Sequence, residues 1–113
     1  NRAEARRMVG LFYMAFVKAA SLAKLRPGTM LEYRNGDQQL ALCNVNGEIH
    51  VLDNHCPHRG GPLAQGALHG TMVVCPWHAW EFDCTNGVCD FNAEIVVKRY
   101  PVRVEGDDVL VDI

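Results

Sequence analysis

Two short segments constrain this chain more than any others. Cys56-Pro57-His58 and Cys75-Pro76-Trp77-His78 each carry one thiol and one imidazole, and 16 residues separate His58 from Cys75. The first lies within residues 54–66, which also hold Arg59, Gly60, Gly61 and Pro62 and are too rich in glycine and proline to run as a strand. Two soft sulfurs and two borderline nitrogens on paired loops point to a metal site. Zinc fingers commonly pair Cys with Cys and His with His. Here each loop carries one of each, an order that suits two metal ions side by side, with both loops giving sulfur to one ion and nitrogen to the other. Pro57, Pro62 and Pro76 are expected to stiffen the loops, and Gly60 and Gly61 to let backbone amides approach bridging sulfides closely.

The chain has 113 residues, of which 49% are hydrophobic and 21% charged. That describes one globular domain able to bury roughly two thirds of its unfolded surface without disulfide staples. Its 5 cysteines are therefore expected to do chemistry. A formal charge of −2 gives no reason to expect nucleic acid or an anionic membrane as partner. The length excludes a dinucleotide-binding domain joined to a substrate domain, and also a barrel enzyme. Charge is uneven: residues 1–34 hold seven basic side chains against Glu4 and Glu32, whereas residues 35–113 hold four basic against eleven acidic. The acidic part either steers the chain toward a basic partner or merely solvates its surface.

The longest apolar stretch, residues 8–17, is ten residues long, about half of a membrane span. Arg6 and Arg7 before it give the outline of a signal peptide, but its aromatics, Gly10 and the lack of a small-residue cleavage site argue against one. The expectation is a cytoplasmic chain with an upstream or appended extension over residues 1–13 and a single domain over residues 14–113.

Within that domain, residues 39–45 and 48–53 flank Asn46-Gly47, the pair that most readily supplies the two positive-φ residues of a tight hairpin. Residues 71–75 and 80–83 are strand-like. Residues 100–105 and 108–113 flank Gly106-Asp107, with Val102 and Val104 on one side and Val109, Val111 and Ile113 on the other in alternation, which predicts a second hairpin with one buried face. The only helical hint is residues 21–25, where Ser21 can cap a single turn before Arg26-Pro27-Gly28 ends it. With no repeat, low-complexity tract or linker, the expected fold is all-β, built of small sheets or a partly open barrel or sandwich.

The segments Cys56-Pro57-His58-Arg59-Gly60-Gly61-Pro62-Leu63 and Cys75-Pro76-Trp77-His78-Ala79-Trp80-Glu81-Phe82-Asp83, with Tyr100-Pro101-Val102 and the final hairpin, resemble the Rieske family and more closely the Rieske-type ferredoxins. The resemblance spans residues 14–113. It implies the Rieske fold: an antiparallel β base bearing a small cluster-binding subdomain of two loops, about residues 54–84. It also implies one 2Fe-2S cluster, with Cys56 and Cys75 on an inner iron and His58 and His78 on an outer iron near solvent. Zinc in the same four residues is the alternative.

Such a ligand set has an electrical consequence. The oxidised core carries about two positive charges, which two thiolates cancel, where four thiolates would leave about −2. An added electron is repelled less, and such centres lie at approximately −150 to +300 mV, against about −400 mV for plant-type ferredoxins. Respiratory-chain Rieske proteins resemble this sequence but add a disulfide across the loops and hydroxyls that donate toward the sulfurs. Gly61 and Trp77 stand at the disulfide positions here, and Trp80 and Phe82 at the hydroxyl positions. A potential near the low end is therefore expected, and a quinol-oxidising role is not.

Cys84 and Cys89 flank Thr85-Asn86-Gly87-Val88. Across a hairpin their Cα atoms would be about 4.5 to 5.5 Å apart, within disulfide reach, although a cytosolic chain favours two free thiols and a second metal site is a third reading. Cys43 reads as a small core residue. His55 reads as a loop residue outside the pattern, and His50 and His69 lie in strand and turn contexts without motif partners. Trp77 and Trp80 are either packing beneath the cluster or an apolar collar for docking, with Arg59 the first charge to test there.

The leading functional expectation is a one-electron carrier, not itself an enzyme. As the resemblance implies, it would accept an electron from a flavin-containing, NAD(P)H-dependent reductase and pass it through exposed His58 or His78 to a terminal oxygenase or similar acceptor. No substrate pocket, Gly-rich phosphate loop or triad of two His and a carboxylate is evident. The alternatives are a small Rieske subunit of a larger oxidoreductase such as assimilatory nitrite reductase, and a redox sensor module using Cys84 and Cys89.

Overall fold

A computed structural model describes residues 15–113. The extension expected over residues 1–13, Met14 at the expected start of the domain, and the first part of the apolar run at residues 8–17 lie outside the described residues. The described chain is all-β. Its ten strands are β1 (Phe16–Ser21), β2 (Met30–Asn35), β3 (Gln38–Val45), β4 (Glu48–Asp53), β5 (Ala67–His69), β6 (Met72–Val74), β7 (Glu81–Asp83), β8 (Arg99–Tyr100), β9 (Val102–Glu105) and β10 (Asp108–Asp112). They form three open sheets in the orders β2-β3-β4-β8, β1-β10-β9 and β5-β6-β7, antiparallel throughout.

The β3-β4 hairpin forms where Asn46-Gly47 predicts it, with φ of 52° and 93° at the two turn residues. Leu40, Ala41, Leu42 and Cys43 are all fully buried, because this sheet is covered on both faces. Leu40 and Leu42, with Ile49 and Val51, pack toward Val109 and Val111 of β10. Ala41 and Cys43, with Leu52, pack toward Leu63, Val73 and Phe82 around the two Cys-His loops. The β2-β3-β4-β8 sheet is thus a middle layer with one core on each side, and the β5-β6-β7 sheet and its loops stand on the second core.

Three expectations are corrected. Residues 100–105 are not one strand: Pro101 has no N–H to donate to a ladder, and the chain changes sheets there. Tyr100 pairs with Val51 in the middle sheet, whereas Val102 pairs with Val111 in the next. In the final hairpin Val109 and Val111 are buried, but Val104 is 44% exposed because β9 is an edge strand. Ser21 makes no side-chain cap to the short 3-10 turn Leu22–Lys24; its hydroxyl donates to the Asp107 carboxylate instead. Strands β1, β2 and β5 go beyond what the sequence predicts: β1 starts at the end of the apolar run and shows no alternation, β2 carries Glu32 and Arg34 among apolar residues, and β5 is too short to show a period. No helix of the described residues is long and apolar enough to cross a membrane.

Candidate metal centre

The first loop leaves β4 and is pinned by Asn54, which is fully buried. Its N–H donates to the Gln39 carbonyl (2.9 Å), its own carbonyl accepts from Leu63 N–H (2.9 Å), and its side-chain Oδ1 accepts from Ala64 N–H (2.8 Å). Above that neck His55 bridges Pro62, Cys56 N–H donates to the Gly61 carbonyl (2.9 Å), and Gly60 N–H donates to the Cys56 carbonyl (2.7 Å). The Gly60 amide is thereby committed within the loop. It closes the turn that holds Cys56 and His58 on one short arc, a different use from the approach to sulfide expected of it.

The second loop joins β6 to β7 and is closed by Cys75 N–H donating to the Trp80 carbonyl at 2.7 Å. To turn back in so few residues the chain puts His78 and Ala79 in the left-handed region, at φ of 68° and 56°. That region costs a residue with a Cβ roughly 1–2 kcal/mol, and strain of this kind collects at functional sites. Trp77 N–H points inward to Cys75 Sγ at 3.4 Å.

Together the loops bring like to like. Cys56 and Cys75 are both 2% exposed and their thiols face each other. The imidazoles of His58 and His78 meet edge to face with centroids 5.1 Å apart; His58 is half-buried and His78 exposed. Two sulfurs lie inside and two imidazoles lie toward solvent.

The electrostatics fit a two-iron cluster in this position. Burial raises the Cys75 thiol above its usual pKa; the Trp77 N–H acts the other way, and the facing Cys56 sulfur raises it further. Positive charge beside the Cys75 sulfur, which iron supplies, offsets the cost of ionising it there. Loss of water lowers the His58 pKa, and the charges of His78 and Arg59 add to this, favouring the neutral imidazole that a metal needs. His58 Nδ1 is buried without a hydrogen-bond partner, as a nitrogen reserved for a metal would be. Gly61 has no room for a side chain: a Cβ there would lie 2.8 Å from Cys75 Sγ and 3.2 Å from the Trp77 ring. Among the described residues no three His, Cys, Asp or Glu side chains converge on one point. A 2Fe-2S cluster needs no such trio, since each of its irons takes two protein ligands.

The remaining cysteines and histidines lie where the sequence places them, except that Cys84 has a different neighbour. All five cysteines are free. Cys89 opposes Phe82 across a β-bridge, so it does not face Cys84. Cys84 instead meets Cys43, both fully buried, and that contact together with burial drives the Cys43 thiol to a raised pKa. Spacing along the chain cannot show this pair, because 41 positions separate its members. His55 is exposed, with Nδ1 3.7 Å from Asp53 Oδ1; His69 is exposed at the end of β5; buried His50 has its Nδ1 3.1 Å from an Arg99 guanidinium nitrogen. The two tryptophans divide the roles proposed for them. Trp77 is 49% exposed, while Trp80 stacks flat on His58, with centroids 4.2 Å apart and planes 8° from parallel. Phe91 was missed: it is 60% exposed yet meets Trp80 edge to face at 4.7 Å. Its only signal in the sequence is an aromatic residue set between Asp90 and Asn92.

The chain is similar to known proteins over most of its length. The chain is 35% identical over 101 residues to the ferredoxin component of biphenyl 2,3-dioxygenase from Rhodococcus jostii, covering 88% of this chain and 94% of that protein. The solved Sphingomonas yanoikuyae B1 ferredoxin is 32% identical and superposes with a TM-score of 0.79, covering 87% of this chain and 98% of that one. A chain described as the small subunit of an NADH-dependent nitrite reductase from Mycobacterium tuberculosis superposes as well, at a TM-score of 0.80, with 25% identity and cover of 89% and 96%. Residues 15–101 match the Rieske 2Fe-2S domain, whose cofactor is one Rieske-type cluster. Loops that pair two buried thiols beneath two outward imidazoles, on a three-sheet base of this kind, make the chain a member of the Rieske family.

Proposed function

We propose that this protein is a one-electron carrier, a Rieske-type ferredoxin. It accepts electrons from a flavin-containing NAD(P)H-dependent reductase and delivers them to a terminal oxygenase. Cys56 and Cys75 would hold the inner iron, and His58 and His78 the outer. When bound, the cluster supplies a one-electron couple. The chain's own residues bury the thiol side, keep His58 and His78 at the surface, and leave little to stabilise added charge. The observation that carries this reading is the outward position of the two imidazoles, which puts the electron's exit where a partner can reach it. The 35% identity to a dioxygenase ferredoxin component supports a carrier of that type, although the fold suits both readings.

Among the described residues, the backbone N–H of Trp77 is the only amide or hydroxyl donating to either thiol sulfur. With so few donors, the reduction potential should lie near the low end of the Rieske range, about −150 mV. Spectroelectrochemical titration of the purified, coloured protein, with EPR of the reduced state, tests this. Reduction by a free flavoprotein reductase and a potential near that value support the carrier. A potential well above zero, or isolation in fixed stoichiometry with a large enzyme, overturns it.

A further inference from the structure

His58, Trp80 and Phe91 form a continuous run of ring contacts, from the imidazole at the metal centre through a flat stack at 4.2 Å to an edge contact at 4.7 Å. Phe91 is the most exposed large apolar side chain of the described residues, at 60%. It does not dangle. Cys89 N–H donates to the Ile95 carbonyl (2.9 Å), Asp90 N–H to the Glu81 carbonyl (3.0 Å), and Ile95 N–H to the Asn92 carbonyl (3.0 Å). Asn92 Oδ1 also accepts from Glu94 N–H at 3.0 Å. These bonds hold the loop that carries the phenyl ring out into water.

Beside Phe91 lies an open groove of about 380 Å³, lined among others by Met72, Val88, Asp83 and Asp90 and by no basic residue. Burial works against the Asp83 charge, but the Thr85 hydroxyl and N–H, with smaller help from Thr71 and His50, hold its pKa below the usual value. Asp90 is exposed and makes no ion pair among the described residues. Single exposed apolar residues are ordinary on protein surfaces. A phenyl on a hydrogen-bonded loop, touching the ring stacked on His58 at the lip of an acidic groove, has the make-up of an interface anchor with a charged rim.

We propose that the face formed by Phe91 and this groove, to one side of the His58-His78 tip, is the docking surface for the protein redox partner. The partner's matching surface has an apolar pocket for the phenyl ring, edged by Lys or Arg that meet Asp90 and Asp83. Seated there, the partner lies over the Trp80 side of His58. One electron leaves this chain there and the partner's one-electron acceptor gains it; no bond is made or broken. This rests on the carrier reading above.

The test is stopped-flow oxidation of the dithionite-reduced holoprotein by two acceptors: cytochrome c, a basic one-electron protein, and ferricyanide, which is too small to need a docking face. Phe91→Ala should slow cytochrome c reduction about tenfold at low ionic strength. It should leave the ferricyanide rate within about twofold and the midpoint potential unmoved, since it removes no group at the metal centre. Asp90→Asn should slow the protein reaction about threefold and flatten its salt dependence. Wild-type rates for both variants overturn the docking face, as does an equal loss with both acceptors, or a large loss for Trp77→Ala with none for Phe91→Ala. A wild-type protein that gives its electron to neither acceptor overturns the carrier reading and this proposal with it.

Discussion

Gly61 shows most directly how a single position fixes the centre. Its backbone is in an ordinary region, so glycine is required by space and not by φ. Alanine there would meet a buried sulfur that cannot move and an indole that can. Gly61→Ala should therefore cost about 1–3 kcal/mol and lower the iron content per chain, measured by thermal melting and by iron and sulfide analysis. Adding Trp77→Ala opens room on the indole side only. The double variant should stay deficient; full recovery would show that the ring, and not the Cys75 sulfur, sets the limit. The same contact joins the two loops, with the Trp77 ring of the second packed against Gly61 of the first.

Between elements, the turns were more legible in the sequence than the sheets they build. Asn46-Gly47 and the two Cys-His loops announce themselves because each needs a particular backbone or side-chain chemistry. The division of residues 100–105 between two sheets does not, since valine alternation on both sides of Pro101 reads the same whether or not the partner strand changes. Pairings remote in sequence are equally hidden: spacing offers Cys84 only Cys89, five positions on, as a possible neighbour, whereas the fold sets it against Cys43 on β3. The turn after β7 can be tested by pH. Asp83 Oδ1 accepts from both the N–H and the hydroxyl of Thr85, at 2.9 and 2.6 Å, and its pKa is lowered in the folded chain. A depressed carboxylate contributes its full stability above its unfolded pKa of about 3.9 and loses it as the pH falls through the folded value. The melting temperature of the wild type should thus exceed that of Asp83→Asn at pH 6, and the gap should close on acidification. Cluster loss in acid affects both proteins alike and drops out of the difference. A gap that widens toward low pH would contradict the assignment.

Over the whole molecule, the middle sheet is the part on which everything else rests, since Leu40, Ala41, Leu42 and Cys43 are fully buried between its two cores. The apolar contacts on its two faces are non-directional and fix distance better than orientation. Orientation of the cluster-bearing layer has a polar contribution. Arg99, on β8, donates from Nε to the Cys84 carbonyl at 3.0 Å and places a guanidinium nitrogen 3.1 Å from His50 Nδ1 on β4. One side chain thus ties the middle sheet to the segment that follows β7. Arg99→Met keeps much of the stem's contact and removes those bonds, and should destabilise by about 1 kcal/mol because the bonds are only partly shielded from water. For a domain of this size that lowers the melting temperature on the order of 5 °C. The midpoint potential should stay where it is, because Arg99 touches none of the four candidate ligands. An unchanged melting temperature would mean that packing alone orients the layer. A shifted potential would mean that the tie at Cys84 reaches the metal centre through β7 and the second loop.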